Sequence, residues 1–226
     1  MIGDKLNIRE EHRKAAQGVL KLLLPEIAQS PGKYALAIAG ESGSGKSELA
    51  AVLAEQLLEK GFKSIVLQQD DYFVYPPKTN TAKRRQDIQW VGASEVRLDL
   101  LDRNIREALD NKDEITKPLV IYKEDRVTQE AIKLQGVKVV IAEGTYTTLL
   151  QNVHARIFID RTYVDTKAAR LQRAREAPDP WIEEILAIEH RIISAHKSRA
   201  DVIITHDYSV VGRRRKNDQQ DSHAKL

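Results

Sequence analysis

The sequence contains no cysteine among its 226 residues and no long hydrophobic stretch. The absence of cysteine excludes disulfide bonds, thiolate metal sites and a cysteine nucleophile. Lys21 interrupts the apolar run of residues 19–24, and a membrane-spanning helix would need about 20 apolar residues. Residues 2–7 already include glycine, aspartate and lysine, which disfavours a secretory signal peptide. We therefore expect a cytoplasmic protein that makes no contact with a membrane.

Most of the chain also lacks an excess of charge of one sign. The net charge is +3, and residues 213–226 account for all of it. Because a neutral body is not the surface of a nucleic-acid-binding protein, no nucleic-acid partner is expected. Hydrophobic residues make up 42% and charged residues 31% of the chain, which is typical of a globular protein. We predict one domain over residues 1–212 and a polar, basic, disordered tail over residues 213–226.

Short apolar runs alternate with amphipathic segments along the chain. Strands are predicted at residues 34–39, 64–67, 137–142, 156–159 and 202–205, with a smaller pair at 119–122 and 131–134. Helices are predicted at residues 8–28, where Asn7 is the expected cap and Pro25 the expected kink or end, and at 48–60, 98–109, 163–175 and 181–197. Residues 74–93 are expected to form an irregular loop. This alternation is typical of an α/β fold, with a parallel sheet of about five strands and flanking helices.

A glycine-rich octapeptide, Gly-Glu-Ser-Gly-Ser-Gly-Lys-Ser, follows the first predicted strand and opens the next helix. In this context the pattern predicts a phosphate-binding P-loop, whose glycines let backbone N–H groups point at a phosphate. Lys46 would reach the β- and γ-phosphates, and the Ser47 hydroxyl would bind Mg²⁺. The residues expected to bind the nucleotide are Gly40, Glu41, Ser42, Gly43, Ser44, Gly45, Lys46, Ser47 and Glu48.

The absence of other motifs narrows the classes of P-loop protein to which this chain could belong. A GTPase would carry Asp-x-x-Gly after a strand together with Asn-Lys-x-Asp, and a transporter ATPase would carry a Ser-Gly-Gly signature. The sequence has none of these motifs. A kinase acting on a small molecule or a nucleotide is therefore favoured, and an ATP-binding regulatory module without catalysis is the alternative from another class.

Two predicted strands end in acidic residues. Asp70 follows the second strand and Glu143 the third, and ligands of open parallel sheets lie beyond these ends. A kinase needs one carboxylate to accept the proton of the attacking hydroxyl and another to hold Mg²⁺. Asp70 is the candidate base, with direct Mg²⁺ ligation as its alternative, and Glu143 is placed on the metal side. For Asp71, a capping or solvent-exposed role and a catalytic one are equally open.

A basic helix near the end of the chain carries Arg170 and Arg173 at a spacing of three, which places both on one face. Arginines on a mobile lid suit phosphoryl transfer, because charge spreads over the γ-phosphate oxygens. We predict a helical lid over residues 161–200 and count both arginines as catalytic. A solvated basic helix is the alternative.

Taken together, the motifs resemble the uridine kinase/phosphoribulokinase family of P-loop kinases. They cover residues 34–205 in the family's order. The matching segments are 40–47, Gln-Asp-Asp-Tyr-Phe at 69–73, Ile-Ala-Glu-Gly-Thr-Tyr at 141–146, Phe-Ile-Asp at 158–160 with the arginines that follow, and Ala-Asp-Val-Ile-Ile at 200–204. The resemblance implies a P-loop NTPase fold with a lid, ATP and Mg²⁺ as cofactors, and uridine-kinase-like phosphorylation of a hydroxyl group.

The resemblance also implies roles for individual residues. Asp70 would be the base, Ser47 and Glu143 would lie near Mg²⁺, and the lid arginines would come from Arg170, Arg173 and Arg175, with Arg175 at the nucleotide. The acceptor pocket would include Tyr72, Tyr122 and Arg126.

Residues 87–96 depart from the corresponding stretch of uridine kinases, so the acceptor could be a nucleoside, a sugar phosphate or a pantothenate-like alcohol. Trp90 could stack on this acceptor or pack in the protein. The basic run Lys83, Arg84 and Arg85 could meet an acidic acceptor or solvent. A homo-oligomer is also left open.

Overall fold

The structure, a computed structural model, describes residues 6–173 and 179–212. The helices are α1 (Glu10–Gln29), α2 (Lys46–Glu59), α3 (Pro77–Gln86), α4 (Leu98–Leu109), α5 (Lys167–Arg173) and α6 (Pro180–Ile193). The strands are β1 (Tyr34–Gly40), β2 (Lys63–Gln68), β3 (Glu114–Ile121), β4 (Arg126–Lys133), β5 (Val137–Glu143), β6 (Ala155–Ile159), β7 (Val202–Ile204) and β8 (Val210–Gly212).

A central sheet has the strand order β2-β5-β1-β6-β7-β8. The first five strands in this order are parallel to one another, and β8 pairs antiparallel with β7 at the edge. The parallel α/β architecture is therefore confirmed, while the short edge strand β8 was not predicted. Because β1 lies between β5 and β6, the chain reverses its direction of winding at β1, and such a reversal opens a crevice at the strand ends.

Helices cover both faces of this sheet. On one face α1 and α2 pack over a core that includes Val19, Leu23, Leu53 and Leu57. On the other face α4 packs over a second core, and its predicted span is confirmed. All of β1 is buried, as expected for a strand covered on both sides. Within residues 6–173 and 179–212, no helix is long and apolar enough to cross a bilayer.

The start and course of α1 differ from the prediction. The helix does not end at Pro25 but continues to Gln29. Asn7 is not its cap, because the helix begins at Glu10 with Arg9 at the N-cap position. The Asn7 backbone N–H instead donates to Glu48 Oε1 at 3.3 Å. The first turn is closed by His12 instead, whose Nδ1 accepts the backbone N–H of Arg9 at 3.0 Å. Packing of the apolar side of α1 against α2 outweighs the one hydrogen bond that proline cannot donate.

A helix, α3, occupies part of the stretch for which a loop was predicted. Pro77 is the first residue of this helix. At that position the backbone N–H that proline lacks would have no partner within the helix. The carboxylate of Asp125 accepts the backbone N–H groups of Lys78 at 2.6 Å and Thr79 at 3.1 Å. The prediction failed because this cap comes from a residue far along the chain.

The two segments predicted to pair, 119–122 and 131–134, fall largely in β3 and β4 but do not face each other. Leu119 pairs with Thr128, and Ala131 pairs with Thr116. The lid region also differs in detail, since α5 begins only at Lys167 and α6 ends at Ile193, followed by a 3₁₀ helix at Ser194–Arg199.

Candidate active site

The P-loop joins β1 to α2 and requires glycine at several positions. Gly43 and Gly45 have φ values of 75° and 99°, in the left-handed region that favours glycine. A Cβ atom on Gly43 would lie 2.7 Å from Arg170 Cγ, and one on Gly45 would lie 2.8 Å from His12 Nε2. The loop is therefore a closely packed concave backbone at a helix N-terminus, which is a site for a phosphate group.

Two polar side chains of the loop support this reading. The ammonium group of Lys46 donates to the backbone carbonyl of Glu41 at 2.9 Å and so lies folded back over the loop. Ser44 Oγ is fully buried and has no hydrogen-bond partner among the described residues. Because buried polar groups are nearly always paired, a bound oxyanion is a fitting partner for the Ser44 hydroxyl.

Ser47 and Glu143 meet at the carboxyl ends of β1 and β5. Ser47 Oγ donates to Glu143 Oε1 at 3.1 Å. Burial and the nearby charge of Asp70 raise the pKa of Glu143 to about 7, against the opposing effects of Lys46 and Ser47. A divalent cation at this point would favour the ionised carboxylate. Mg²⁺ is commonly held by one or two carboxylates together with substrate phosphates, so the residues present fit it.

The two adjacent aspartates after β2 differ in how deeply their side chains are buried. Asp70 is partly exposed and lies close enough to Glu143 for its charge to act there. Asp71 is 2% exposed and accepts the Lys117 ammonium at 2.7 Å and the Val120 N–H at 2.9 Å. Asp71 is thus neither a cap nor a solvent-exposed or catalytic group, because its carboxylate fixes the β3–β4 hairpin.

Tyr72 does not fit the substrate contact expected of it. Its side chain is fully buried in the core, and its hydroxyl donates to Asn104 Oδ1 at 2.9 Å. Burial, and then the charge of Asp71, raise the pKa of Tyr72. We therefore assign Tyr72 to packing beneath the aspartate turn.

The other two residues expected at the acceptor lie at the tip of the hairpin. Tyr122 is partly exposed and follows β3 directly, two positions after the backbone group that Asp71 holds. Arg126 is exposed and forms a 2.8 Å ion pair with Glu124. Exposed ion pairs contribute little free energy, so Arg126 can exchange this partner for a ligand.

Of the predicted lid arginines, Arg170 lies against the P-loop, over Gly43. One of its terminal nitrogens donates to the Tyr163 carbonyl at 3.0 Å, and its Nε is buried with no hydrogen-bond partner in the described part of the chain. Arg173 is the last residue of α5. Arg175 lies outside the described residues.

Glu41 and Glu48 were predicted to bind the nucleotide, but their carboxylates contact protein groups. Glu41 accepts the Tyr163 N–H at 2.7 Å and contacts His190 Nδ1 at 2.6 Å. Its side chain therefore ties the lid region to the loop, which sequence reasoning missed. Glu48 accepts the Asn7 N–H, as described above.

Two residues of the basic run on α3 form ion pairs with other elements, and only Arg85 of these two is exposed to solvent. Arg84 is bound by Glu95 at 2.6 Å and by Glu189 of α6 at 3.0 Å. Arg85 pairs with Asp179 at 2.5 Å and lies 4.4 Å from the centroid of the Trp181 ring. No sequence signal identifies these partners, because they come from other elements.

Trp90 is held in place by the same region. Its Nε1–H donates to Asn80 Oδ1 at 2.9 Å, and Asn80 in turn donates to Glu95 at 2.8 Å. The Trp90 ring also lies 5.7 Å from that of Tyr75. This favours packing for Trp90.

Comparison with known proteins gives a consistent result. The model of the "Phosphoribulokinase / Uridine kinase family" matches residues 35–177. A bifunctional alpha-galactosidase/sucrose kinase of Mediterraneibacter gnavus is 25% identical over 79% of this chain. This chain spans only 20% of the length of that protein. A uridine kinase of Leuconostoc citreum is 25% identical over 75% of this chain and 85% of its own length. The solved structure of a possible uridine kinase from Bacillus stearothermophilus has a TM-score of 0.61 at 20% identity, over 85% of this chain and 98% of its own, which shows the fold.

Proposed function

Because the chain belongs to the phosphoribulokinase/uridine kinase family of kinases, we propose that it transfers the γ-phosphoryl group of ATP to a hydroxyl of an uncharged small molecule in a Mg²⁺-dependent reaction. The observation that carries this proposal is the arrangement of Asp70, Glu143 and Ser47 beside the phosphate loop. The Ser47 hydroxyl donates to Glu143, and the negative charge of Asp70 contributes to raising the pKa of Glu143.

Each role follows from the position of the residue. Loop N–H groups and Lys46 would bind the β- and γ-phosphates, and Ser47 and Glu143 would hold Mg²⁺, which supplies charge neutralisation when bound. Asp70, partly exposed beside this pair, would accept the proton of the acceptor hydroxyl. Arg170, which packs on the loop, would stabilise charge on the transferred group.

The ion pairs of Arg84 favour an uncharged acceptor over the sugar phosphate and the carboxylate-bearing alcohol that the sequence left open. Glu95 and Glu189 both bind this guanidinium, so the three groups carry one excess negative charge when ionised. Burial raises the pKa of Glu189 above its usual value and the charge of Glu95 adds to this effect, while the positive charges of Arg84 and Lys46 oppose it. Glu189 precedes His190, which contacts Glu41 of the phosphate loop at 2.6 Å, so the cluster lies near that loop and an anionic acceptor would approach carboxylates.

The two sequence relatives named above carry uncharged compounds, uridine and sucrose, in their names, whereas phosphoribulokinase in the family name denotes a phosphorylated sugar. The choice of an uncharged acceptor therefore rests on the ion pairs of Arg84. An ATP-binding regulatory module is the weaker candidate, because nucleotide binding alone has no need for a partly exposed carboxylate at Asp70.

The test measures ADP release from ATP and Mg²⁺ with uridine, fructose and sucrose, with a phosphorylated counterpart of each, and with pantothenate. We expect acceptor-dependent ADP release with an uncharged compound only. Asp70→Asn should still bind ATP but lower turnover by roughly 10²- to 10⁴-fold, mainly in kcat. Asp110→Asn, at an exposed aspartate that ends α4, is the matched control and should keep wild-type turnover.

Two results would count against the proposal. Unchanged turnover in Asp70→Asn would refute the assignment of Asp70 as the base. Preferred use of a phosphorylated acceptor would refute the proposal that the acceptor is uncharged. ATP binding without ADP release for any acceptor would favour the regulatory module.

A further inference from the structure

Helix α1 precedes residues 35–177, the segment that the family model matches, yet it reaches the phosphate loop. It lies along α2, to which Arg13 is tied by a 3.0 Å ion pair with Glu55. In its first turn stands His12, which is 5% exposed. The Nε2 edge of its ring lies 2.8 Å from where a Cβ atom of Gly45 would be, so the imidazole packs directly on the loop backbone.

Both ring nitrogens of His12 are engaged. Nδ1 accepts the backbone N–H of Arg9 at 3.0 Å, which requires that nitrogen to be unprotonated. In the neutral ring the proton is then on Nε2, which lies 3.2 Å from the hydroxyl oxygen of Tyr208. Burial lowers the pKa of His12, and Arg9 and Arg161 lower it further against the opposing charges of Glu48 and Glu11. His12 therefore stays neutral and donates to Tyr208.

Tyr208 lies in the turn between β7 and β8, where several groups contact it. Its φ of 65° lies in the left-handed region, and its backbone N–H donates to the Thr205 carbonyl at 2.9 Å. Arg161, which follows β6, donates to the Tyr208 hydroxyl and lies 4.7 Å from the centroid of its ring. The Tyr208 hydroxyl oxygen would also lie 3.4 Å from a Cβ atom on Gly45. Two elements from opposite ends of the chain thus meet behind one residue of the loop.

We propose that His12 is a positioning residue for the nucleotide site: with Tyr208 it forms a brace, the His12–Tyr208 pair, that holds the Gly45 end of the phosphate loop in its binding conformation. The physical reason is that a loop already ordered before binding loses less conformational entropy when phosphate binds. This inference rests on the proposed binding of ATP at the loop. It makes nucleotide affinity depend on α1, which the family match does not include.

Two variants separate bracing from helix capping. In His12→Asn the amide oxygen stands at the same number of bonds from Cβ as Nδ1, so it can still accept the Arg9 N–H while it loses contact with Gly45 and Tyr208. Tyr208→Phe removes only the hydroxyl. The matched control is Tyr34→Phe, which removes a hydroxyl that donates to Glu26 at 2.9 Å near the other end of α1.

The affinity for ATP with Mg²⁺ is measured by titration calorimetry, and amide hydrogen exchange of residues 41–47 is measured without nucleotide. We expect His12→Asn to bind ATP about fivefold to thirtyfold more weakly, since ordering one backbone residue costs about that factor. Tyr208→Phe should show a smaller loss and Tyr34→Phe none. Exchange in the loop should accelerate in the first two variants.

The inference is overturned if His12→Asn matches Tyr34→Phe within twofold in affinity and also in loop exchange. A wild-type protein that failed to bind ATP would instead overturn the proposed function. In that case the exchange rates alone would still decide whether the brace orders the loop.

Discussion

Replacing Asp71 by Asn should lower the free energy of unfolding far more than the same change at Asp70. The Asp71 carboxylate and the Lys117 ammonium are 2% and 3% exposed and lie 2.7 Å apart. Removing one partner of a buried pair costs about 3 to 5 kcal/mol. Lys117 keeps a second, partly exposed partner in Glu130 at 2.7 Å, so we expect a loss of about 2 to 4 kcal/mol.

For a chain of this size, 1 kcal/mol corresponds to about 2 to 4 °C in melting temperature. Thermal unfolding should therefore show Asp71→Asn melting about 4 to 16 °C below the wild type, and Asp70→Asn melting within about 2 °C of it. Kinetics should show the opposite order, because Asp70→Asn loses turnover while surviving Asp71→Asn protein loses mainly acceptor affinity through a loosened hairpin. Equal melting temperatures for the two variants would refute the division of roles between these neighbours.

Lys46→Ala should keep its melting temperature but lose on the order of 10² in turnover, and near-normal turnover would refute the role of the loop lysine. Without Mg²⁺, the free energy of unfolding should fall as pH rises from about 5 to about 7, because folded Glu143, with a pKa of about 7, keeps a proton that the unfolded chain has released. Glu143→Gln should remove that slope in melting temperature, and an unchanged slope would assign it to another group. Arg84→Met should cost about 3 to 5 kcal/mol by leaving Glu95 and Glu189 without their cation, and adding Glu95→Gln should restore part of the loss in urea unfolding.

The phosphate loop and the acidic strand ends could be predicted because their signals are local. The loop is one continuous octapeptide between a strand and a helix, and parallel strands bring their carboxyl ends to one edge of the sheet. Gln68 at the end of β2 pairs with Glu143, so the sheet topology places Asp70, two residues further on, near Glu143 as expected.

The rest depends on partners that the sequence does not bring together. Asp70 and Asp71 are adjacent and chemically identical, and only Lys117 and Val120 on a distant strand decide which carboxylate is buried. In the same way α3 is capped by Asp125 from the hairpin tip, and no cap stands next to it in sequence. Pattern and propensity could not reveal either contact.

The position of the His12–Tyr208 pair also has a consequence for how the chain folds. These two residues are 196 positions apart, and β8 packs beside α1, where a Cβ atom on Gly18 would lie 2.7 Å from Val210 Cγ2. Contacts of such long sequence separation form late, since the intervening chain must first be ordered. The phosphate loop and the strand and helix that flank it are close together in sequence and can form early. The side chains that support the loop, His12 and Tyr208, come from α1 and from the turn before β8, the first and last described elements. The phosphate loop thus receives its full support only when α1 and the β7–β8 turn close on each other, so the proposed ATP binding would report a late step of folding and not an early one.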